Sequence, residues 1–156
     1  MNEILVAVDS SKHSSKVVDV ACGIAKGLSA GILLVYVMQL PFEEPEGVRE
    51  FGKAEQYPDA YADYLQELGE TVTSNFSNVI RKAGVSVRSM TPSGNPAAEV
   101  LNLAELEKST MIVVGVKGLH GISRFRSLGS VARNIIENSP VPVVSVPSAA
   151  QNHNNA

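Results

Sequence analysis

The stretch Val113–Arg133, VVGVKGLHGISRFRSLGSVAR, decides how the rest of the chain is read. It begins with the end of an apolar strand, Met111-Ile112-Val113-Val114. Gly115 and Gly118 follow, within a loop that also carries Lys117, His120, Arg124 and Arg126. Gly129-Ser130 then opens an amphipathic helix. Glycine reaches backbone conformations closed to other residues and lets a ligand approach the main chain closely. A helix start offers N–H groups without intrahelical partners and the positive end of the dipole, and Ser130 adds a hydroxyl, so the pair suits an anion. Strand, glycine loop and helix start together are how α/β proteins hold phosphate. The same residues also fit a plain βα loop whose glycines only serve tight turns, because short glycine patterns are weak by themselves.

On the N-terminal side, Ile4–Val8 is a continuous β-branched run without alternation, as in a strand covered on both faces. It ends in Asp9-Ser10-Ser11, and Ser11 or Ser14 can cap a helix over 14–28 whose apolar face is Val17, Val20, Ala21, Ile24 and Leu28. Gly27 to Gly31 end that helix, and Gly31–Met38 is a second buried strand. Residues 39–58 change character, with prolines, glycines and five glutamates (Glu43, Glu44, Glu46, Glu50, Glu55), and read as a loop excursion with a solvated acidic face. Asp59–Ala83 is the longest predicted helix, stopped by Gly84. Val85–Thr91 alternates as a half-exposed edge strand does, and Asn95-Pro96 is a cap followed by a proline at the first helical position. That helix runs to about Lys108 and buries Val100, Leu103, Ala104 and Leu106. The helix from Ser130 to Asn138 buries Val131, Ile135 and Ile136, and Val141–Val146 is a last strand that Pro142 assigns to a sheet edge or leaves with an unpaired first residue. Residues 1–148 thus form one domain, and 149–156 a frayed tail.

The 156 residues, 44% hydrophobic and 19% charged, suit one globular domain with a sizeable core. The net charge of -3 argues against a general nucleic-acid or anionic-membrane surface. No apolar run is long enough to cross a bilayer. The single Cys22 reads as a packing residue in a reducing compartment, and with no leader-like segment after Met1 the expected location is cytoplasmic.

Strands alternating with helices mean right-handed crossovers and a parallel sheet covered on both faces. Ligands then bind beyond the carboxyl ends of the strands, at the switch point. Asp9, Val37 and Gly115 each close a strand at that end, where the glycine loop already points to phosphate.

This pattern resembles the universal stress protein family over nearly the whole chain, Ile4 to Val146. The opening strand with its acidic turn (Ile4–Ser11), the Gly94-Asn95-Pro96 turn, Gly115-x2-Gly118 with the later Gly129-Ser130, and Pro140-Val141-Pro142-Val143 carry the resemblance together. It implies a Rossmann-like, three-layer α/β fold with a five-stranded parallel sheet of order 3-2-1-4-5, paired as a homodimer through the last strand. Its ATP-binding subset implies roles by position. Asp9 would face the ribose or a phosphate-bound Mg2+, contacting the metal only through the nucleotide. Val37 would meet adenine through its backbone, with Ala7 and Val114 beneath the base and Val8 among the binding residues. Gly115, Lys117, Gly118, Gly129, Ser130 and Val131 would surround the ribose and phosphates. Ten residues separate Gly118 from Gly129, one more than the family's usual spacing. Arg124 and Arg126 either meet the γ-phosphate or are simply exposed.

Fast nucleotide hydrolysis needs a base or positioned water, charge stabilisation and usually a metal. The chain has no Gly-x4-Gly-Lys-Ser/Thr loop, no second carboxylate beside Asp9 and no Gly-x-Ser-x-Gly elbow. His13, His120 and His153 are not spaced as metal ligands, and His120 is either an exposed loop histidine or a proton-transfer group. The expectation is an ATP-binding, homodimeric regulatory protein with an unknown protein partner and no catalytic residues. The alternatives are a dimeric scaffold that does not hold ATP, a binder of another adenine nucleotide such as cyclic AMP, and a slow ATPase.

Overall fold

The fold was analysed in a computed structural model that describes residues 2–39, 59–116 and 129–148, with the side chains of 59–61 left aside. Lys117, Gly118, the basic loop with His120, Arg124 and Arg126, the acidic excursion over 40–58 and the tail over 149–156 lie outside the described residues.

The elements are β1 (Glu3–Val8), α1 (Ser14–Leu28), β2 (Gly31–Tyr36), α2 (Asp59–Lys82), β3 (Val87–Met90), α3 (Pro96–Leu106), β4 (Ile112–Val116), α4 (Ser130–Asn138) and β5 (Val143–Pro147). They form a five-stranded sheet of order β3-β2-β1-β4-β5, with every pairing parallel. β1 is central and pairs with β2 from Glu3↔Gly31 to Val8↔Tyr36. β3 and β5 are the edges, as the alternation in one and Pro142 before the other predicted.

Successive residues of a strand face opposite layers. In β1, Ile4, Val6 and Val8 join one core with Val17, Val18 and Ala21 of α1 and Ile80 of α2. Leu5 turns the other way and joins Val100, Leu103 and Ala104 of α3 and Ile135 of α4. Truncating a fully buried leucine such as Leu5 costs roughly 2–5 kcal/mol. Cys22 packs in the first core, where burial raises its thiol pKa and Asp19 adds to the rise.

The helix signals hold in part. Asn95 caps α3, its Oδ1 accepting the Ala98 N–H at 3.0 Å, with Pro96 next in line. α3 ends at Leu106 rather than Lys108, and Lys108 takes a left-handed turn at φ 53°. α1 is stopped by Ser29 at φ 52°, two residues past Gly27. Neither Ser11 nor Ser14 caps α1: the cap position is His13, without a side-chain cap bond, and Ser14 is engaged elsewhere. Leu28, Leu106, Val131 and Ile136, expected in the apolar faces, are all exposed. Each lies at the margin of its helix's stripe or near a helix end, where periodicity alone does not fix the angle to the sheet.

Candidate functional site

The C-terminal ends of β1, β2 and β4 and the first turn of α4 enclose a cleft of about 410 Å³. That volume lies in the range of small-molecule sites, and the position beside the central strand is where open α/β sheets bind ligands. Ala7, Val8, Asp9, Val37, Val114, Gly115, Gly129, Ser130 and Val131, nine of the residues expected at the site, all line it.

Asp9 follows β1 directly and its geometry is fixed from three sides. Ser14 Oγ accepts the Asp9 N–H at 2.9 Å and donates back to Asp9 Oδ1 at 2.9 Å. The Ser11 N–H donates to the same Oδ1 at 2.8 Å. Ser14 is buried, so the ring it closes with Asp9 is partly sheltered from water. This explains why Ser14 is not a cap: its hydroxyl serves the residue that ends the strand.

Val37 follows the last residue of β2. Its neighbour Met38 donates its N–H to Pro92 O at 2.8 Å and accepts the Gly94 N–H at 3.0 Å, which fixes the main chain on the far side of Val37. On the other side Val8 is in register with Tyr36. Ala7, Val35, Val100 and Val114 supply an apolar floor. α4 brings its start to the opposite wall: Gly129 is the cap residue and its carbonyl accepts the Arg133 N–H at 2.9 Å. The first turn of a helix has N–H groups with no intrahelical partner, and these favour an anion.

Among the described lining residues Asp9 is the one carboxylate and there is no lysine or arginine. Tyr36 lines the same cleft, and its phenol is held above its ordinary pKa by burial first, then by Asp9 and Tyr64. No group of three or more histidine, cysteine, aspartate or glutamate side chains suited to a metal occurs among the described residues.

Gly115 has two neighbours that the sequence reading does not include. A Cβ placed on it would lie 2.8 Å from His13 Cδ2 and 3.0 Å from Val17 Cγ2. His13 Nε2 is in turn 2.9 Å from Val146 O in β5. Sequence reasoning missed His13, Ser14 and Tyr36 as parts of the site. The Asp9-x4-Ser14 spacing was the available signal for Ser14, whereas nothing local points His13 at a residue 133 positions away.

A parallel sheet of order 3-2-1-4-5 with helices against it and a cleft at the switch point defines a Rossmann-like α/β protein by architecture. The chain matches the universal stress protein family over residues 1–147, and it belongs to that family. It is 28% identical over 146 residues to the universal stress protein YxiE of Bacillus subtilis, covering 93% of this chain and 98% of that one. It is 30% identical over 145 residues to the universal stress protein MJ0531 of Methanocaldococcus jannaschii, covering 92% and 81%. Among solved structures, the hypothetical protein MJ0577 superposes with a TM-score of 0.77 at 22% identity, covering 96% and 97%, and has the same fold. A universal stress protein in complex with cAMP superposes at 0.69 with 23% identity, covering 95% and 98%. One from Archaeoglobus fulgidus in complex with dAMP superposes at 0.64 with 23% identity, covering 93% and 97%.

Proposed function

We propose that this protein binds an adenine nucleotide, ATP in the first instance, and acts as a nucleotide-responsive regulatory protein rather than a fast hydrolase. The observation that carries the reading is the convergence of a carboxylate, an apolar floor and a helix start on one cleft at the switch point. Adenine would lie over Ala7 and Val114 with its edge on the Val37 main chain, and Val8 would line the site beside them. Asp9 would take the ribose hydroxyls, and Gly129, Ser130 and Val131 the phosphates. Lys117 and Gly118 enter by family resemblance, and Lys117 would supply a cation that the described wall lacks. The solved relatives with cAMP and dAMP support an adenine nucleotide as the ligand class.

Mg2+ fits this site only as a companion of the phosphates. Asp9 is one carboxylate, and its Oδ1 already accepts two hydrogen bonds, so nucleotide oxygens and waters would supply the remaining ligands. The exposed edge of β5 supports a homodimer formed by strand pairing.

Mass spectrometry of the small molecules released on denaturing the purified protein tests the first step, followed by calorimetric titration with ATP, AMP and cyclic AMP. The expected result is ATP binding that Asp9→Ala and Gly118→Asp both abolish while the circular dichroism of the fold persists. Unchanged affinity in both variants would refute the assignment. A second reading, a binder of a mononucleotide or cyclic nucleotide, draws on the longer Gly118–Gly129 spacing and predicts that AMP or cyclic AMP outcompetes ATP.

A further inference from the structure

Ser14 and His13 are adjacent at the start of α1, and they hold different parts of the molecule. Ser14 fixes Asp9 in the cleft. His13 reaches across the end of β4: its ring takes the space above Gly115, and its Nε2 meets Val146 O. A carbonyl oxygen only accepts, so Nε2 is the donor in this contact. One turn further along α1, Lys16 Nζ donates to Pro147 O at 3.0 Å. These two side chains tie α1 to a strand whose backbone is paired with β4 on one side and, among the described residues, with no strand on the other. His13 is also part of the cleft wall, and Lys16 is not.

We propose that His13 couples the cleft to the β5 edge: a ligand seated in the cleft packs on the imidazole, restrains it over Gly115 and tightens its hold on Val146. This rests on the nucleotide reading above and adds the element that responds. A ring that is restrained spends more of its time in the hydrogen-bonded position, so the strand it holds opens less often. No change of average shape is needed for such coupling, only a loss of freedom shared by ligand and strand. The affected surface is the free edge of β5, where a second strand would pair. Filling the cleft thus prepares that edge in a single, ordered conformation.

Amide hydrogen exchange, followed residue by residue by NMR in the full chain with and without saturating ATP, tests the coupling. Saturation is set separately for each variant by calorimetry, so a change in affinity does not enter the comparison. In the wild type, ATP is expected to slow exchange at Val144 and Val146 roughly fivefold, the effect of about one hydrogen bond. His13→Phe keeps a ring over Gly115 without a donor and is expected to lose the slowing. His13→Gln, whose amide can donate to the same carbonyl, should recover part of it. Lys16→Met removes the tether outside the cleft and should raise β5 exchange equally in both states, leaving the ratio intact. Equal slowing in wild type and His13→Phe overturns the proposal, as does binding without any slowing in the wild type. Failure of ATP, AMP and cyclic AMP alike to bind fells the nucleotide reading and the coupling together, so the two failures are told apart.

Discussion

The imidazole of His13 stands where the side chain of residue 115 would be, with its Cδ2 at 2.8 Å from the position of a Cβ on Gly115. A neighbour within the protein therefore disfavours any side chain at this position of β4, independently of any ligand. Gly115→Ala must displace the ring or Val17, and the overpacking is expected to cost about 1–3 kcal/mol. Urea denaturation measures it. In a His13→Ala background the same substitution should cost clearly less, because the two residues share one space. Equal costs in both backgrounds would contradict the packing described.

Ser14→Ala removes both the acceptor for the Asp9 N–H and a donor to Asp9 Oδ1. With Ser14 buried and Asp9 partly so, the loss of stability is expected at about 1–2 kcal/mol in thermal or chemical denaturation. Nucleotide affinity should fall as well, because a carboxylate held by fewer donors is less well placed. Wild-type affinity in this variant would show that Asp9 does not depend on Ser14 for its function.

At the opposite end of the strands, Arg88 forks onto Glu3, with Nε at 2.9 and 3.0 Å from its two oxygens and Nη2 at 2.7 Å from Oε2. Nη2 also meets Glu107 at 2.7 Å. The hydrogen bond from Arg88 holds the Glu3 carboxyl below its ordinary value of 4.5. A lowered carboxylate pKa stabilises the fold fully above the ordinary value, and that contribution is lost as pH falls through the folded one. The Arg88 side chain is 45% exposed, so solvent screening limits the gain to about 0.5–1 kcal/mol. Arg88→Met should lower stability by that amount at pH 7 and by less at pH 3, in urea titrations at low salt. A constant deficit at both pH values would assign the effect to packing instead.

Ser109 is buried, and its hydroxyl has no hydrogen-bond partner among the described residues. A buried hydroxyl without a partner opposes folding. Ser109→Ala is expected to keep stability or raise it by up to about 1 kcal/mol. A loss larger than that in denaturant would point to a bound water that the hydroxyl holds.

Much of the architecture was legible from the chain because its strands are marked twice, by apolar runs such as Ile4–Val8 and by the turns that bound them. The edges were legible too: Arg88 and Ser89 are exposed in β3, and Pro142 sits just before β5. Helix faces were read less sharply. Of Val131, Ile135 and Ile136, expected on the buried face of α4, Ile135 is buried, but its buried companion is Ala132, a rotation that depends on how the helix settles on the sheet. The cleft was foreseeable wherever a strand end supplies the residue, as with Asp9, Val37 and Gly115. It was not foreseeable where a contact joins distant segments. His13 reads as an unremarkable helix-start residue until β5 is laid beside it, and Ser14 reads as a cap until its hydroxyl is seen closing a ring with Asp9.

The sheet order has a mechanical consequence. The segment from β1 to β3 and the segment from α3 to β5 are joined, within the sheet, along a single seam where Leu5, Val6 and Ala7 face Ile112, Val113 and Val114. That ladder is half the length of the one between β1 and β2. Outside the sheet the two segments are also tied by His13 and Lys16 to β5, and the cleft sits at the open end of the seam with Asp9 on one bank and Gly115 and Ser130 on the other. Whatever fills the cleft therefore acts as a rivet, raising the force needed to part the two segments.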